Sequence, residues 1–307
     1  MKTPLVKVRS LSNYFYEGRK VHRALDGISF DVFKGETLGI VGESGSGKST
    51  LGRTLMRLYK PNHGTIHFDG TDITTMNDKK LRPLKREFQM IFQNLFESLN
   101  PRFTVGEILE EPMLIQKLHS PKERTQLAME MLDKVGLPQS SYEKRIHEFS
   151  GGQRQRIAIA RALALKPKLI IADEPVSALD VSVQAQILNL LKELQKEYNL
   201  TCIFISHDLS VVHHMSDRVA VLHLGHMLEI ASKEEIFRNP IHPYTKSLLA
   251  SIPRTNPYLR DTPQEQVEAP ARSPHPPHLV NIGSDHYVAA DVIEVKQYEV
   301  STSSAIN

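Results

Sequence analysis

Short apolar runs recur along the chain, and segments with the spacing of helices separate them. The runs are rich in isoleucine and valine and lie at residues 38–41, 90–92, 169–172, 202–205 and 219–222. Continuous apolar runs of this length are typical of strands that are buried on both faces. Their alternation with helical segments predicts an α/β fold with a mainly parallel sheet and right-handed crossovers.

Other segments alternate apolar and polar residues, as strands with one solvated face do. This pattern covers residues 6–11, 28–32 and 65–68. Because such strands are typical of antiparallel sheets, we predict an antiparallel β subdomain beside the parallel sheet.

A helical region interrupts the strand pattern. Residues 123–135 have helical spacing and are followed by Gly136, a suitable residue for the end of a helix. We predict a helical subdomain over about residues 94–154.

The character of the chain changes towards its C-terminus. Residues 233–237 and 244–250 have the pattern of short helices, whereas residues 253–277 are rich in proline. Such a composition favours an extended linker, which would leave the tail uncoupled from the core. Residues 279–300 alternate enough for a small hairpin or two. We therefore predict a main domain over residues 1–250 and a proline-rich linker with a C-terminal extension over residues 251–307.

Composition narrows the class of protein. The 307 residues are 40% apolar and 24% charged, as in ordinary globular proteins, and a net charge of +3 is too small to indicate a nucleic-acid partner. The single cysteine, Cys202, allows no disulfide within the chain and suits a reducing compartment. No apolar run approaches the roughly 20 residues of a membrane span, and the N-terminus has no signal-peptide pattern. We expect a soluble or peripheral protein in the cytoplasm.

Closely spaced histidines raise the possibility of a metal site. The pairs are His223 with His226 and His275 with His278. Neither pair has an accompanying set of cysteines or carboxylates with the spacing of metal ligands. We therefore expect ordinary surface histidines.

A phosphate-binding motif follows the first apolar run. It fits the pattern G-x-x-x-x-G-K-[ST] at every fixed position and consists of Gly42, Glu43, Ser44, Gly45, Ser46, Gly47, Lys48, Ser49 and Thr50. Glycines let successive backbone N–H groups point inward, and the following helix adds unpaired N–H groups. Lys48 is expected to reach the β- and γ-phosphates and Ser49 to place its hydroxyl on Mg²⁺. The motif predicts binding of a nucleoside triphosphate.

Two further motifs extend this site. Asp173 and Glu174 follow a buried strand, at the edge where a parallel sheet presents its ligands, so Asp173 can hold Mg²⁺ and Glu174 can polarise an attacking water. Upstream, Ser150 is a suitable N-cap for a helix whose first residues include paired glycines. The second motif consists of Ser150, Gly151, Gly152 and Gln153.

Together these three motifs resemble the ATP-binding cassette (ABC) family, over about residues 5–250. The resemblance implies a P-loop NTPase fold with ATP and Mg²⁺ as ligands. It extends to three more residues, which are Gln93 after the strand at 90–92, Asp180 after Ser-Ala-Leu, and His207 after Phe-Ile-Ser. It implies that Gln93 contacts the metal or water, that Asp180 lies near the nucleotide, and that His207 stabilises the region of the γ-phosphate.

The family also stacks an aromatic side chain on adenine. Phe15 stands at the matching distance before Lys48, while Tyr14 and Tyr16 remain alternatives.

A finer resemblance is to the ATP-binding subunits of oligopeptide and dipeptide permeases, the F-type subunit in particular. It rests on residues 92–102, 149–157, 173–182 and 239–245. Asn94 and Leu95 stand where these proteins often have Asp and Pro. Many relatives also carry a C-terminal cysteine cluster like an iron–sulfur ligand set, which cannot be carried over because no cysteine follows Cys202.

The resemblance implies a mechanism and partners. Two cassettes face each other head to tail, and each ATP is held by Lys48 of one and Ser150 of the other. Glu174 activates water, and Lys48 with Mg²⁺ offsets charge on the leaving group. The implied partners are a sibling ATP-binding subunit in a heterodimer, two transmembrane permease subunits and an extracytoplasmic peptide-binding protein. The chain would then lie peripherally on the cytoplasmic face of the cell membrane.

Two alternatives remain at this point. A related importer of nickel, glutathione or antimicrobial peptides would have the same cassette, because the substrate contacts other subunits. A soluble ABC ATPase outside transport would carry a long coiled coil or two cassettes, and neither pattern is present.

Overall fold

The computed structural model describes residues 3–94, 99–251 and 276–290. Its strands are β1 (Pro4–Glu17), β2 (Lys20–Phe33), β3 (Thr37–Val41), β4 (His63–Phe68), β5 (Thr71–Asp72), β6 (Phe88–Ile91), β7 (Leu169–Asp173), β8 (Thr201–Ile205), β9 (Arg218–His223), β10 (His226–Ser232), β11 (Leu279–Asn281) and β12 (Tyr287–Ala289). Its α-helices are α1 (Lys48–Leu55), α2 (Asp78–Leu81), α3 (Val105–Ile115), α4 (Pro121–Lys134), α5 (Gly151–Leu163), α6 (Val181–Tyr198), α7 (Leu209–Met215), α8 (Lys233–Arg238) and α9 (Pro243–Ala250). Short 3₁₀ turns lie at Leu84–Arg86, Gln139–Ser141 and Ile146–Glu148.

The chain forms two compact units. The first unit contains Met1–Thr75 and Phe204–Asn307, and the second contains Met76–Ile203. Both combine strands with helices, so the predicted α/β class is confirmed. Over the described residues, no helix is both long enough and apolar enough to cross a membrane.

An antiparallel sheet forms one layer of the first unit. Its strands lie in the order β2-β1-β4-β5, and β1 pairs with both β2 and β4. The alternation in β1 turns Val6 and Val8 into the core, at 2% and 0% exposure. This sheet is the predicted antiparallel subdomain.

A second sheet of the first unit positions the phosphate-binding motif. Strand β3 is buried throughout and pairs in parallel with β9, which continues through a tight turn into the antiparallel strand β10. After β8, the N–H of Ser206 donates to the carbonyl of Ile40 at 3.2 Å. The apolar run at residues 38–41 is therefore a central strand, as its sequence predicts.

The tail packs on this second sheet. Strand β12 pairs with β10 through Glu229 and Val288, and β11 pairs with β12. Val288 and Ala289 are completely buried. The expectation of a tail uncoupled from the core is therefore wrong for residues 279–289, because β12 pairs with β10, β11 pairs with β12 and apolar side chains of the hairpin are buried. The predicted hairpin exists there, whereas the linker at 252–275 and residues 291–307 lie outside the described residues.

The second unit contains the helical region. Strands β6 and β7 pair in parallel, and helices α3, α4 and α5 pack against one another. Helix α4 begins one residue after its cap, Ser120, and ends before Val135, close to the predicted bounds. Gly136 follows with φ of +69°, the left-handed conformation expected of a residue that ends a helix.

Candidate nucleotide-binding site

The phosphate loop joins β3 to α1, and two of its glycines are required by their surroundings. Gly42 has φ of +153°, and a Cβ there would lie 2.0 Å from the carbonyl oxygen of Leu222. Gly47 has φ of +106°, and its Cβ would lie 2.4 Å from the carbonyl oxygen of Ala24. Because real Cβ atoms do not approach oxygen so closely, only glycine fits at either position.

The loop curls around its own lysine. The Lys48 side chain is 5% exposed. Its ammonium donates to the carbonyl of Gly42 at 2.7 Å, to the carbonyl of Glu43 at 2.8 Å and to the hydroxyl of Ser46 at 3.4 Å. A positive charge is thereby held inside the loop, at the N-terminus of α1, where helix geometry leaves backbone N–H groups for an anion.

Backbone and side chains from distant parts of the first unit brace this loop. The N–H of Gly225, in the turn between β9 and β10, donates to the carbonyl of Ser46 at 2.9 Å. The N–H of Glu43 donates to the hydroxyl of Tyr244 at 3.2 Å. Sequence reasoning missed Tyr244, because the pattern of residues 244–250 indicates only a short helix with a buried face.

The expectation that His223 and His226 are surface histidines is wrong. They are 8% and 2% exposed. The turn that they flank folds against the phosphate loop, and the ring centroid of His223 lies 4.0 Å from that of Tyr244. Among the described residues, no group of three or more His, Cys, Asp and Glu side chains is placed to hold a metal ion.

The three candidate aromatic residues near the start of the chain have different surroundings. The hydroxyl of Tyr14 donates to Asp26 at 2.8 Å, and the guanidinium of Arg23 lies 5.5 Å from the centre of the Tyr14 ring. Phe15 is 40% exposed, and its ring meets that of Tyr59 edge-on with the two centroids 5.4 Å apart. Tyr16 is 67% exposed. Because the hydroxyl of Tyr14 is already bonded to Asp26, Phe15 and Tyr16 are the two remaining candidates for contact with a base.

The carboxylate that engages Tyr14 is itself perturbed. Burial favours the neutral form of Asp26, but hydrogen bonds from Tyr14 and Arg23 outweigh it, so the pKa of this carboxyl lies below its ordinary value. Asp26 is therefore an ionised anchor of the antiparallel sheet at neutral pH.

His207 lies exposed in the first unit, between β8 and α7. Its backbone is fixed on both sides, because Ser206 is bonded to β3 and Asp208 caps α7 through the N–H of Ser210 at 2.8 Å. The backbone that carries the His207 ring is therefore held in place by hydrogen bonds on both sides.

The carboxylate pair lies in the second unit, at the end of β7. Asp173 is completely buried, and Glu174 has φ of +46°, which is uncommon for a residue with a side chain. The amide of Gln93 donates to the Glu174 carboxylate at 2.8 Å. The hydroxyl of Ser177 donates to the Glu174 carbonyl at 3.2 Å. Backbone strain of this kind is retained where function requires a side chain in a particular direction.

The Ser-Gly-Gly-Gln motif opens helix α5 in the same unit. The hydroxyl of Ser150 accepts the Gln153 N–H, and the Gln153 side chain accepts the Ser150 N–H at 3.0 Å, which completes a capping box. A Cβ at Gly152 would lie 2.5 Å from the Val183 side chain, so the motif packs closely on α6. Ser150, and Asp180 at the start of α6, are exposed and accessible to another molecule.

A cavity of about 230 Å³ connects these second-unit elements. Gln93, Gly151 and Glu174 contribute to its lining. Gln155 also lines it and is 3% exposed. The sequence does not distinguish Gln155 from the other polar residues of the first turns of α5, so its place in this cavity could not be predicted.

A phosphate loop, a carboxylate pair after a buried strand and a capped Ser-Gly-Gly-Gln helix start define the protein class as an ATP-binding cassette ATPase. Comparisons agree with this class. The family described as ABC transporter matches residues 25–177, and the family described as oligopeptide/dipeptide transporter, C-terminal region, matches residues 228–276.

Similar proteins support a narrower placement. The oligopeptide transport ATP-binding protein AppF of Bacillus subtilis is 55% identical over 259 residues, which cover 82% of this chain and 79% of AppF. The oligopeptide transport ATP-binding protein OppF of the same organism is 52% identical over 271 residues, which cover 87% of this chain and 89% of OppF. The chain belongs to the ABC transporter family, among its oligopeptide transport ATP-binding proteins.

Solved structures show the same fold. A dimeric post-hydrolysis state of the ATP-binding cassette MJ0796, bound to ADP and Pi, has a TM-score of 0.68 and 32% identity. The match covers 74% of this chain and 98% of the MJ0796 chain. The expected P-loop ABC cassette fold is therefore confirmed.

Proposed function

We propose that this chain is the ATP-binding and ATP-hydrolysing subunit that energises an ABC importer of oligopeptides or dipeptides. The observation that carries this proposal is the joint presence of the cassette and of the C-terminal region found in oligopeptide and dipeptide transporters. The high identity to proteins named for oligopeptide transport supports the same substrate class.

In this proposal, the residues of the first unit bind the nucleotide. The backbone N–H groups of the phosphate loop receive the phosphates, and Lys48 keeps its bond to the Gly42 carbonyl while its other N–H groups turn from Glu43 and Ser46 to phosphate oxygens. Phe15 stacks on the adenine ring, and His207 contacts the γ-phosphate region. The fixed loop and the buried ammonium provide charge stabilisation without reorganisation.

The residues of the second unit perform the hydrolytic step. Glu174 accepts a proton from the attacking water or orients it, and Gln93 holds the Glu174 carboxylate. The bond from this amide fixes the orientation of the carboxylate towards which the water would be drawn.

The residues proposed for Mg²⁺ fit that ion chemically. Ser49, Gln93 and Asp173 supply a hydroxyl, an amide and a carboxylate oxygen, and oxygen donors of this kind are the ones Mg²⁺ takes. When bound, the ion would offset the negative charge that develops on the phosphate oxygens.

The exposed Ser150 and Asp180 support the proposal of a second cassette as partner. Ser150 would contact the ATP held by Lys48 of the facing subunit, so that the nucleotide joins the two chains. A sibling ATP-binding subunit, two transmembrane permease subunits and an extracytoplasmic peptide-binding protein complete the proposed importer. The chain would work peripherally, at the cytoplasmic face of the membrane.

Uptake by cells tests the proposal. A strain that lacks this chain and needs one amino acid should grow on the free amino acid but not on short peptides that contain it. Expression of the wild-type chain should restore growth on peptides, whereas the Glu174→Gln variant, expressed to the same level, should not. Unchanged peptide uptake without the chain would contradict the proposed substrate class.

A further inference from the structure

A buried residue outside the nucleotide motifs contacts the phosphate loop. Tyr244 lies in α9, in the C-terminal region, and is completely buried. Its hydroxyl accepts the N–H of Glu43 at 3.2 Å, across a separation of 201 residues. The second residue of the phosphate loop is therefore bonded to the C-terminal region.

The Tyr244 side chain has little freedom to move. Its ring packs against His223 at a tilt of 37°, and its backbone N–H donates to Nδ1 of His242 at 3.0 Å. Burial raises the pKa of Tyr244, so the neutral hydroxyl persists through the neutral range.

The start of α9 is anchored from its other side by a buried carboxylate. Glu229, in β10, accepts the N–H of Ile241 at 2.9 Å and the N–H of His242 at 3.1 Å. The same carboxylate contacts Nε2 of His286, in the C-terminal hairpin, at 2.7 Å. The position of Tyr244 is thus set by the sheet and the hairpin, independently of the phosphate loop.

A single peptide group carries this contact to the catalytic lysine. The Glu43 N–H that bonds to Tyr244 and the Gly42 carbonyl that accepts from Lys48 belong to the same planar peptide. Fixing one end of that peptide fixes the direction of the other. Such a restraint matters here because Gly42, with φ of +153°, leaves the peptide more rotational freedom than another residue would.

We infer that Tyr244 is a positioning residue of the phosphate loop, which acts through the Gly42–Glu43 peptide to set Lys48 and so raises the affinity for ATP. The inference rests on the proposed role of the loop in binding the nucleotide. It assigns to the C-terminal region a direct part in nucleotide binding.

The variant Tyr244→Phe removes only the hydroxyl. We expect the Kd for ATP of the purified chain, and the KM of the assembled transporter, to rise about fivefold, the effect of one net hydrogen bond. The kcat should stay within about twofold of the wild-type value, because the Glu174 site is untouched. Tyr142→Phe is the matched control, since its hydroxyl donates to Glu110 in the second unit, and it should leave Kd and KM unchanged.

Two results would overturn the inference. One is a Tyr244→Phe variant that thermal unfolding shows to be folded and whose Kd for ATP equals that of the wild type. The other is an equal rise in Kd for Tyr142→Phe. Hydrogen exchange of the wild-type Glu43 amide is an independent measurement that needs no variant, and exchange at the rate of an unstructured chain would also contradict the bond.

Lys48→Ala separates this inference from the function on which it rests. If Lys48→Ala binds ATP normally, the proposed role of the loop is wrong. If Lys48→Ala loses binding while Tyr244→Phe binds like the wild type, only the positioning role is wrong.

Discussion

At the scale of single residues, two glycines of the phosphate loop have opposite surroundings. A Cβ at Gly42 would meet the Leu222 carbonyl, whereas a Cβ at Gly45 would meet no atom within 4 Å, although its φ is +80°. Gly42→Ala should therefore weaken ATP binding at least about tenfold, because the loop must shift. Gly45→Ala should leave the affinity for ATP nearly unchanged, because the backbone strain of a left-handed residue, about 1–2 kcal/mol, lowers the stability of the free and the ATP-bound chain alike. Equal losses of ATP affinity in a calorimetric titration would refute this difference.

Glu229 is a residue whose effect should depend on pH. Burial opposes its ionisation, but hydrogen bonds from His286 and two backbone N–H groups outweigh it, and the pKa lies below the ordinary value of 4.5. A lowered pKa in the folded state stabilises the fold above that ordinary value, and this contribution is lost as the pH falls through the folded pKa.

Glu229→Gln should accordingly reduce the free energy of unfolding by roughly 1–3 kcal/mol at neutral pH. The difference from the wild type should shrink below pH 4.5. Urea unfolding of both proteins across this range measures it, and a difference that is constant with pH would show that the carboxylate charge plays no part.

The site residues that the sequence predicts belong to short contiguous motifs, such as the phosphate loop and the Asp173–Glu174 pair. Tyr244 and His223 could not be predicted in the same way, because their contacts join segments far apart in the chain. The positive φ of Glu174 likewise depends on the turn that Ser177 closes.

At the scale of elements, the sequence predicts which segments form buried strands more accurately than it predicts the residues at which those strands begin and end. The apolar run predicts a strand over residues 90–92, whereas β6 spans Phe88–Ile91. Helix α1 ends at Leu55 although apolar spacing continues to Leu58, because Arg57 adopts φ of +55° and turns the chain. The pairing of β12 with β10 could not be predicted, since alternation reveals a strand but not its partner.

Two helices offer a matched test of the Ser-Gly-Gly-Gln motif. Ser150 of α5 and Ser120 of α4 form the same capping box with the residue three positions on. Ser150→Ala and Ser120→Ala should each cost about 1 kcal/mol of stability. ATPase activity of the assembled transporter should fall only for Ser150→Ala, because that hydroxyl is the one proposed to contact a nucleotide. Equal activity in the two variants would show that Ser150 is no more than a cap.

At the scale of the whole molecule, the tail is part of the folded unit. A chain that ends at residue 275 lacks β11 and β12, whereas one that ends at residue 290 keeps them. The shorter chain loses the buried Val288 and the contact of His286 with Glu229. We expect roughly 3 kcal/mol or more of lost stability, seen as a fall of roughly 5–10 °C in the unfolding temperature.

Both truncated chains should still bind ATP, because the loop and Tyr244 precede residue 276. The shorter chain should bind it more weakly, since it lacks the His286 contact that helps to hold α9. Equal unfolding temperatures for the two chains would mean that the hairpin contributes nothing to the fold.

The most direct measurement is ATP turnover by the assembled transporter with Glu174→Gln in this chain, beside the ATP affinity of the same variant. The amide keeps the size and polarity of the side chain but cannot accept the proton of water. Turnover at the site that contains this residue should fall about 10²–10⁴-fold while the Kd for ATP stays unchanged. Turnover at that site within about threefold of the wild type would contradict the assignment of Glu174 as the residue that drives hydrolysis.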